Sequence, residues 1–283
     1  MTAGAGPADL PGRRSGGTVK IGSAVNCRIC GAVAEAAFSH TILTKYPCDY
    51  YSCGACGFLQ TQEPYWLEEA YASAVAAADT GLVRRNIAVS ETLSTVLFFL
   101  FDRHGRYLDV AGGYGMLARL MRDVGFDFYW SDKYCENLLV RGFEEPAAGS
   151  SYTAITAFEV LEHVADPLRF ISESMGHANT RTMVFSTALF EGAPPEPGSW
   201  YYYAFETGQH VSFFQSRTLR LMADKLALNL YSNGSLHVLT DKAINPYAYR
   251  LLAHPRAGFL SVIPRHVMES KTIADHLAII KRT

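Results

Sequence analysis

The sequence predicts an α/β protein: a doubly wound, mostly parallel sheet with an antiparallel edge strand, plus a small N-terminal metal-binding module. Three observations carry this. A short apolar run, Arg106 to Val110, breaks into the glycine-rich turn Ala111-Gly112-Gly113-Tyr114-Gly115 and then into a helical pattern from Met116. Strand-like runs recur after it and end in a pair split by Asn233-Gly234, a hairpin signal. Ahead of it stand two Cys-x-x-Cys pairs.

Composition bounds the rest. With 283 residues there is room for one α/β domain and an accessory piece, and 49% hydrophobic content permits a packed core. The net charge of −2, with Lys and Arg scattered, argues against a nucleic-acid partner, which needs clustered positive charge. The longest apolar run, Val96 to Phe101, is far short of the ~20 residues of a membrane helix. No leader pattern opens the chain, so a cytoplasmic location without membrane attachment is expected.

In order along the chain, residues 1–20 are Gly, Ala, Pro and Arg without period and are expected to be a mobile tail. Residues 21–63 hold Cys27-Arg28-Ile29-Cys30-Gly31 and Cys53-Gly54-Ala55-Cys56-Gly57. Four thiolates from two knuckles match a structural zinc site in a zinc-ribbon-like module, with a glycine after each pair so that N–H groups can point at sulfur. Such a site has no open coordination position and implies no catalysis. The alternative is two unrelated cysteine pairs. Residues 64–104 read as a helical lid or connection: Pro64 near the start of one helix, a break at Asp79-Thr80-Gly81, then Ile87, Leu93, Val96, Leu97 and Leu100 at helical spacing. Tyr71, Asp79 and Arg85 are either a lid or packing and capping residues.

Residues 105–242 carry the nucleoside-binding expectation. Strand, glycine turn and helix place backbone N–H groups and a helix N-terminus toward a ligand. Phe126 to Trp130 reads as a second strand ending at Asp132, where a ribose-binding acid is required. Leu138-Leu139-Val140 reads as a third strand, with Phe143 and Glu144 at its end for an adenine ring. Tyr152 to Phe158 is a buried strand running into Glu159-Val160-Leu161-Glu162-His163. A helical turn from Glu159 would put Glu162 and His163 on its own face, to share a divalent cation or to make His163 a general base. A charged helix N-terminus is the plain alternative. Arg181 to Thr187 reads as a fifth strand. Ala188 to Gly208 is a long loop rich in proline and aromatics that either covers substrate or packs on itself. His210 follows, then a helix capped by Ser216, then the strand pair Leu228–Tyr231 and Leu236–Leu239. Residues 243–283 form a C-terminal extension of mixed helix and loop.

Together these residues resemble the class I S-adenosylmethionine-dependent methyltransferases, whose domain is Rossmann-like. Asp109-Val110-Ala111-Gly112-Gly113-Tyr114-Gly115 is similar to that family's first motif, with alanine at 111 where glycine is usual. Phe158 through Val164, followed by Asp166-Pro167, resembles the motif after strand four of one subgroup. The resemblance implies S-adenosylmethionine bound by Asp109, Ala111, Gly112, Gly113, Gly115, Asp132, Phe143 and Phe158. Sugar methyltransferases with an N-terminal zinc module use a Glu-His pair like Glu162 and His163 as base. Small-RNA 2′-O-methyltransferases bind a divalent metal through residues that correspond to Glu159, Glu162, His163 and His210. The expected function is therefore O-methylation of a sugar or other polyhydroxylated small molecule, with His163, Glu162 and His210 catalytic. Carbon methylation of a keto-sugar, or a non-catalytic binding protein with a decayed cofactor pocket, are the alternatives.

Overall fold

Two sheets divide the residues that the computed structural model describes, 24–71, 79–146 and 149–282. The expected tail and residues 72–78 of the helical connection lie outside that set. The first sheet is antiparallel and runs β1 (Val25–Asn26), β2 (Val33–Ile42), β3 (Tyr46–Ser52) and β4 (Leu59–Thr61) as neighbours. Leu43 and Thr44, both at positive φ (+49° and +59°), close the β2–β3 hairpin, the twist a tight hairpin turn requires. The chain then makes α1 (Leu67–Ala70) and α2 (Leu82–Leu100). Leu93, Val96 and Leu97 form the buried stripe of α2, whereas Ile87, expected in it, is 43% exposed. The first turns of α2 run along a cleft, lined by Leu82, Arg85 and Asn86, instead of over the core.

The second sheet is built from β5 (Arg106–Val110), α3 (Met116–Val124), β6 (Asp127–Ser131), β7 (Ala154–Ala157), α4 (Pro167–His177) and β8 (Thr182–Ser186). The chain returns to the first sheet for β9 (Ser212–Phe213), which pairs with β4. It ends with α5 (Ser216–Leu226), β10 (Asn229–Ser232), β11 (Leu236–Thr240), α6 (Pro246–Leu252), α7 (Val262–Val267) and α8 (Thr272–Ile280). Strand order is β10-β11-β8-β7-β5-β6, with β8, β7, β5 and β6 parallel and β11 antiparallel to both its neighbours. This is the expected Rossmann-like, doubly wound, mostly parallel sheet with an antiparallel edge. The order reverses at β5, which lies between β6 and β7, and a crevice opens at the carboxyl ends of such strands.

Two elements differ from expectation. Leu138-Leu139-Val140 is not a strand. Leu138 and Leu139 are each 44% exposed, and beyond β6 the chain makes only a single bridge, Trp130 to Glu144. Only a few residues separate β6 from this point, too few for a crossover. Helix α5 is capped by Gln215, not Ser216: Gln215 and Thr218 form a reciprocal capping box.

Residues alternate between two cores. Leu108, Ile155 and Phe185 pack with Cys27, Ile29, Phe58 and Phe214, so the cysteine module and one sheet face share a core. Tyr107, Phe128 and Val184 pack on the other face with Leu97, Leu117 and Met121 of α2 and α3. Among the described residues no helix is long and apolar enough to cross a membrane.

Candidate active site and metal centres

The glycine turn leaves β5 through Ala111 (φ +53°), Gly113 (φ +55°) and Gly115 (φ +86°) before α3 begins. Its glycines differ in purpose. A Cβ on Gly112 would lie 2.8 Å from Asp109 Oδ2, and one on Gly115 would lie 2.7 Å from Val140 Cγ1. A Cβ on Gly113 would meet nothing within 4 Å, because that side of the turn faces the cleft. Asp132, just past β6, fastens the turn. Its Oδ2 accepts from Gly113 N–H at 2.9 Å, and its Oδ1 accepts from Tyr134 and Cys135 N–H at 2.7 and 2.8 Å. A carboxylate has about four acceptor positions, so room remains for a ligand hydroxyl. Asp109, in register with Thr156 across β5 and β7, accepts from Thr156 Oγ1 at 2.6 Å; burial pushes its carboxyl up to about 7.

The cleft encloses about 1660 Å³. Of the expected cofactor residues, Asp109, Ala111, Gly112, Gly113, Asp132 and Phe158 line it, and Gly115 supports the turn from behind. Phe143 is corrected: it is buried away from the cleft, with the Arg122 guanidinium 3.7 Å from its ring centroid. Tyr134, Cys135, Leu138 and Leu139 take up the wall there instead. The apolar pair was the available signal, read as a strand. Tyr71, Asp79 and Arg85 do line the cleft; Arg85 Nη2 is 2.6 Å from Asp79 Oδ2, and the Tyr71 ring stacks on Tyr134 with centroids 5.3 Å apart.

At the cleft's other end the expected helical face is not formed. Glu159 takes φ +54° directly after β7, so the chain kinks, and Leu161–His163 form a 3-10 turn. Glu159 is held by Ser186: its N–H donates to Ser186 Oγ at 2.9 Å, and Ser186 Oγ donates to Glu159 Oε1 at 2.5 Å. The kink separates Glu159 from Glu162 and His163, while Val211 N–H donating to the Glu162 carbonyl (2.8 Å) draws in His210. One ligand atom from each of Glu162, His163 and His210 lies within 4.8 Å of the other two. Glu159 stands outside this group.

The three are all acceptors. Glu162 is fully buried, and neither carboxylate oxygen has a hydrogen-bond partner among the described residues. His163 donates to the Gln209 carbonyl, and its Nδ1 is without a partner. His210 Nδ1 lies 2.6 Å from the Tyr202 carbonyl and donates to it, leaving Nε2 to accept. Burial, with Glu159 adding, pushes Glu162 up to about 8. Burial, then His210, takes His163 well below the usual imidazole range, and burial lowers His210 to about 4. Three converging ligand atoms, from one carboxylate and two imidazoles, have the chemistry of a cation site.

The cysteine pairs form a second cluster. Cys27, Cys30, Cys53 and Cys56 converge, with Cys27 Sγ 3.5 Å from Cys56 Sγ and Cys30 Sγ 3.4 Å from Cys53 Sγ. Tetrahedral zinc with bonds of about 2.3 Å implies sulfur separations near ~3.8 Å, so the donors fit. The knuckles match: Gly31 (φ +80°) and Gly57 (φ +78°) donate to the carbonyls of Cys27 and Cys53, each at 2.8 Å. Those glycine N–H groups close each turn on carbonyl oxygen, which leaves other backbone N–H groups to point at sulfur, as expected. The N–H groups of Ile29 and Cys30 are the ones aimed at Cys27 sulfur.

The reversed strand order, the glycine turn and the acid at the end of β6 are the build of a class I S-adenosylmethionine-dependent methyltransferase domain. A family model described as a methyltransferase domain matches residues 84–233, more than half of the chain, and the chain belongs to that family. No curated protein matches. Among solved structures, TnmH is similar at TM-score 0.44 and 16% identity, over 62% of this chain and 61% of TnmH. The plantazolicin methyltransferase BpumL, in complex with SAH, gives 0.43 and 9% over 63% and 95%. Magnesium protoporphyrin IX methyltransferase (ChlM) from Synechocystis PCC 6803, with bound SAH, gives 0.41 and 14% over 61% and 90%. The matched part thus spans about three fifths of the length of TnmH.

Proposed function

We propose that the protein transfers the methyl group of S-adenosylmethionine to a hydroxyl of a polyhydroxylated small molecule, a sugar or related diol. The observation that carries this is one cleft with the glycine turn and Asp132 at one end and the Glu162–His163–His210 acceptors at the other. At the first end Asp132 accepts from the ribose hydroxyls, and Gly113 leaves space for the nucleoside to lie against the turn. Tyr71 and Tyr134 flank the passage to the second end, where the acceptor hydroxyl is held in line with the donated methyl. The sulfur–methyl bond breaks as the oxygen–methyl bond forms, the bonding pair stays on sulfur to give S-adenosylhomocysteine, and the hydroxyl's proton passes to water in the open cleft.

The residues at the second end fit a divalent cation better than a general base. A base needs proton affinity, and burial, with His210 beside it, lowers that of His163. Glu162, His163 and His210 would hold the cation, each histidine oriented by the carbonyl it donates to. Bound there, a divalent cation would lower the pKa of a hydroxyl beside it. Glu159 stays with Ser186. Residues 21–63 act as a structural zinc module on Cys27, Cys30, Cys53 and Cys56, and residues 105–242 as the methyltransferase domain. Asp132 still fastening Gly113 supports a working cofactor pocket over a decayed one.

The test is calorimetric. S-adenosylhomocysteine is expected to bind at micromolar concentration and Asp132→Ala to abolish it; no binding at millimolar ligand to folded protein rejects the transferase reading. Manganese is expected to bind the zinc-loaded protein and to be lost in His210→Ala. Equal uptake by the variant rejects the cation site alone.

A further inference from the structure

We propose that the acceptor carries positive charge: an amine-bearing polyol, and not a phosphorylated, nucleotide-linked or carboxylated one. The proposal deepens the transferase reading and rests on it. It follows from the charges that line the cleft, sorted by what each already does.

At the glycine-turn end, Asp109 and Asp132 are engaged by Thr156 and by backbone N–H groups, and they serve the methyl donor. Lys133 lies beside them on that wall. Elsewhere the cleft is lined by Glu68, Glu159 and Glu206, and by Glu173, which is paired with Arg169. Among the described lining residues the one Lys or Arg near them is Arg85, held by both oxygens of Asp79 at 2.6 and 3.2 Å. An anionic acceptor that drew Arg85 away would leave Asp79 unpaired in the same cleft and gain little. Residues 72–78, Ala-Ser-Ala-Val-Ala-Ala-Ala, contain no charged side chain and can supply no counter-ion.

The cation site is counted against these carboxylates. Glu162 is fully buried beside the lining residues His163 and His210, and both its oxygens lack a partner. A dication held there would exceed the single charge of Glu162 by one, less than the charge of the three carboxylates Glu68, Glu159 and Glu206 that line the same cleft. Tyr71, Tyr134 and Tyr201 also line the cleft, and the faces of their rings attract an ammonium. In a partly buried cleft one uncompensated carboxylate near a bound charge shifts affinity on the order of tenfold, upward for a cation and downward for an anion.

Glucosamine, glucose and glucose 6-phosphate share a ring of hydroxyls and differ in charge. Each is titrated, by ligand-observed NMR at low salt, into zinc- and manganese-loaded protein whose saturation with S-adenosylhomocysteine has been measured first. The expected order is glucosamine over glucose over the phosphate, by about tenfold per step, narrowing as salt shortens the Debye length. The double variant Glu159→Gln, Glu206→Gln is expected to flatten the order while still binding S-adenosylhomocysteine. Phosphate bound as well as the amine, amine no better than glucose, or no amine binding overturns the proposal while the transferase reading stands. Failure to saturate with S-adenosylhomocysteine sinks both.

Discussion

At the end of β5 the backbone of Ala111 sits at φ +53°, a conformation that costs an L-residue with a Cβ about 1–2 kcal/mol. Glycine would escape that strain but would lose more freedom on folding, about 0.5–1 kcal/mol. Ala111→Gly is therefore expected to stabilise the ligand-free protein by roughly 0.5–1 kcal/mol, raising Tm by a few degrees. Gly113 has nearly the same φ (+55°) and open space where a Cβ would go, so Gly113→Ala isolates the opposite change. It is expected to lose about 1 kcal/mol and to weaken S-adenosylhomocysteine binding, since its methyl would enter the cleft. Thermal unfolding with and without ligand checks both; a destabilised Ala111→Gly would show that the alanine methyl makes a packing contact worth more than the strain.

Among the elements, β11 shows how a buried strand couples the fold to pH. All five of its residues are buried, and His237 lies between Ser232 Oγ, 2.8 Å from Nδ1, and the Thr187 carbonyl, 3.2 Å from Nε2. One bond donated and one accepted make the ring neutral, and burial lowers its pKa to about 4. Because the folded value lies below the unfolded one of about 6.5, the unfolded chain takes up the proton first. Stability from this residue is complete above pH 6.5 and is lost as pH falls toward 4. The loss between pH 7 and 5 is expected to be about 2 kcal/mol, so urea melts of His237→Gln should be less pH-dependent by that amount. An unchanged slope would mean that the other buried histidines, His163 and His210, account for the acid sensitivity. The strands themselves were legible in the sequence because alternation and turn residues are local: Asn233-Gly234 announced the β10–β11 hairpin, and the glycine turn announced the β5–α3 junction. Leu138-Leu139-Val140 misled because an apolar run facing a cleft looks the same as one entering a sheet. The cysteine cluster was readable from spacing. Spacing placed Glu162 and His163 together and the family resemblance added His210, but Glu159 was wrongly included because helical spacing assumed α-conformation there. Its positive φ and the bond from Val211 to the Glu162 carbonyl are tertiary facts.

Across the whole molecule, the C-terminal extension carries a charge pair that local reading of residues 243–283 passed over. Asp275 on α8 meets Arg122 on the last turn of α3 through two hydrogen bonds of 2.7 and 2.8 Å, and the side chains are 5% and 4% exposed. Arg122 also donates to Asp127 and to the Phe128 carbonyl and lies over Phe143, so α8 is joined through one guanidinium to α3, β6 and the segment beyond it. A buried pair of this kind adds little over an apolar pair, but losing one member strands a charge. Asp275→Ala is thus expected to cost about 3–5 kcal/mol, and the replacement of both partners, Arg122→Met with Asp275→Leu, to recover part of it, since Arg119, Asp127 and the Phe128 carbonyl each lose a bond as well. Because Arg122 sits at the far end of α3 from the glycine turn, the folded fraction of Asp275→Ala should keep its affinity for S-adenosylhomocysteine. Urea unfolding and calorimetry on the same preparations separate these effects. Equal loss in the single and double variants would make the specific hydrogen bonds, not the stranded charge, the source of the stability. Lost binding in protein that is still folded would show that α8 reaches the turn through α3, making the extension part of the site's support.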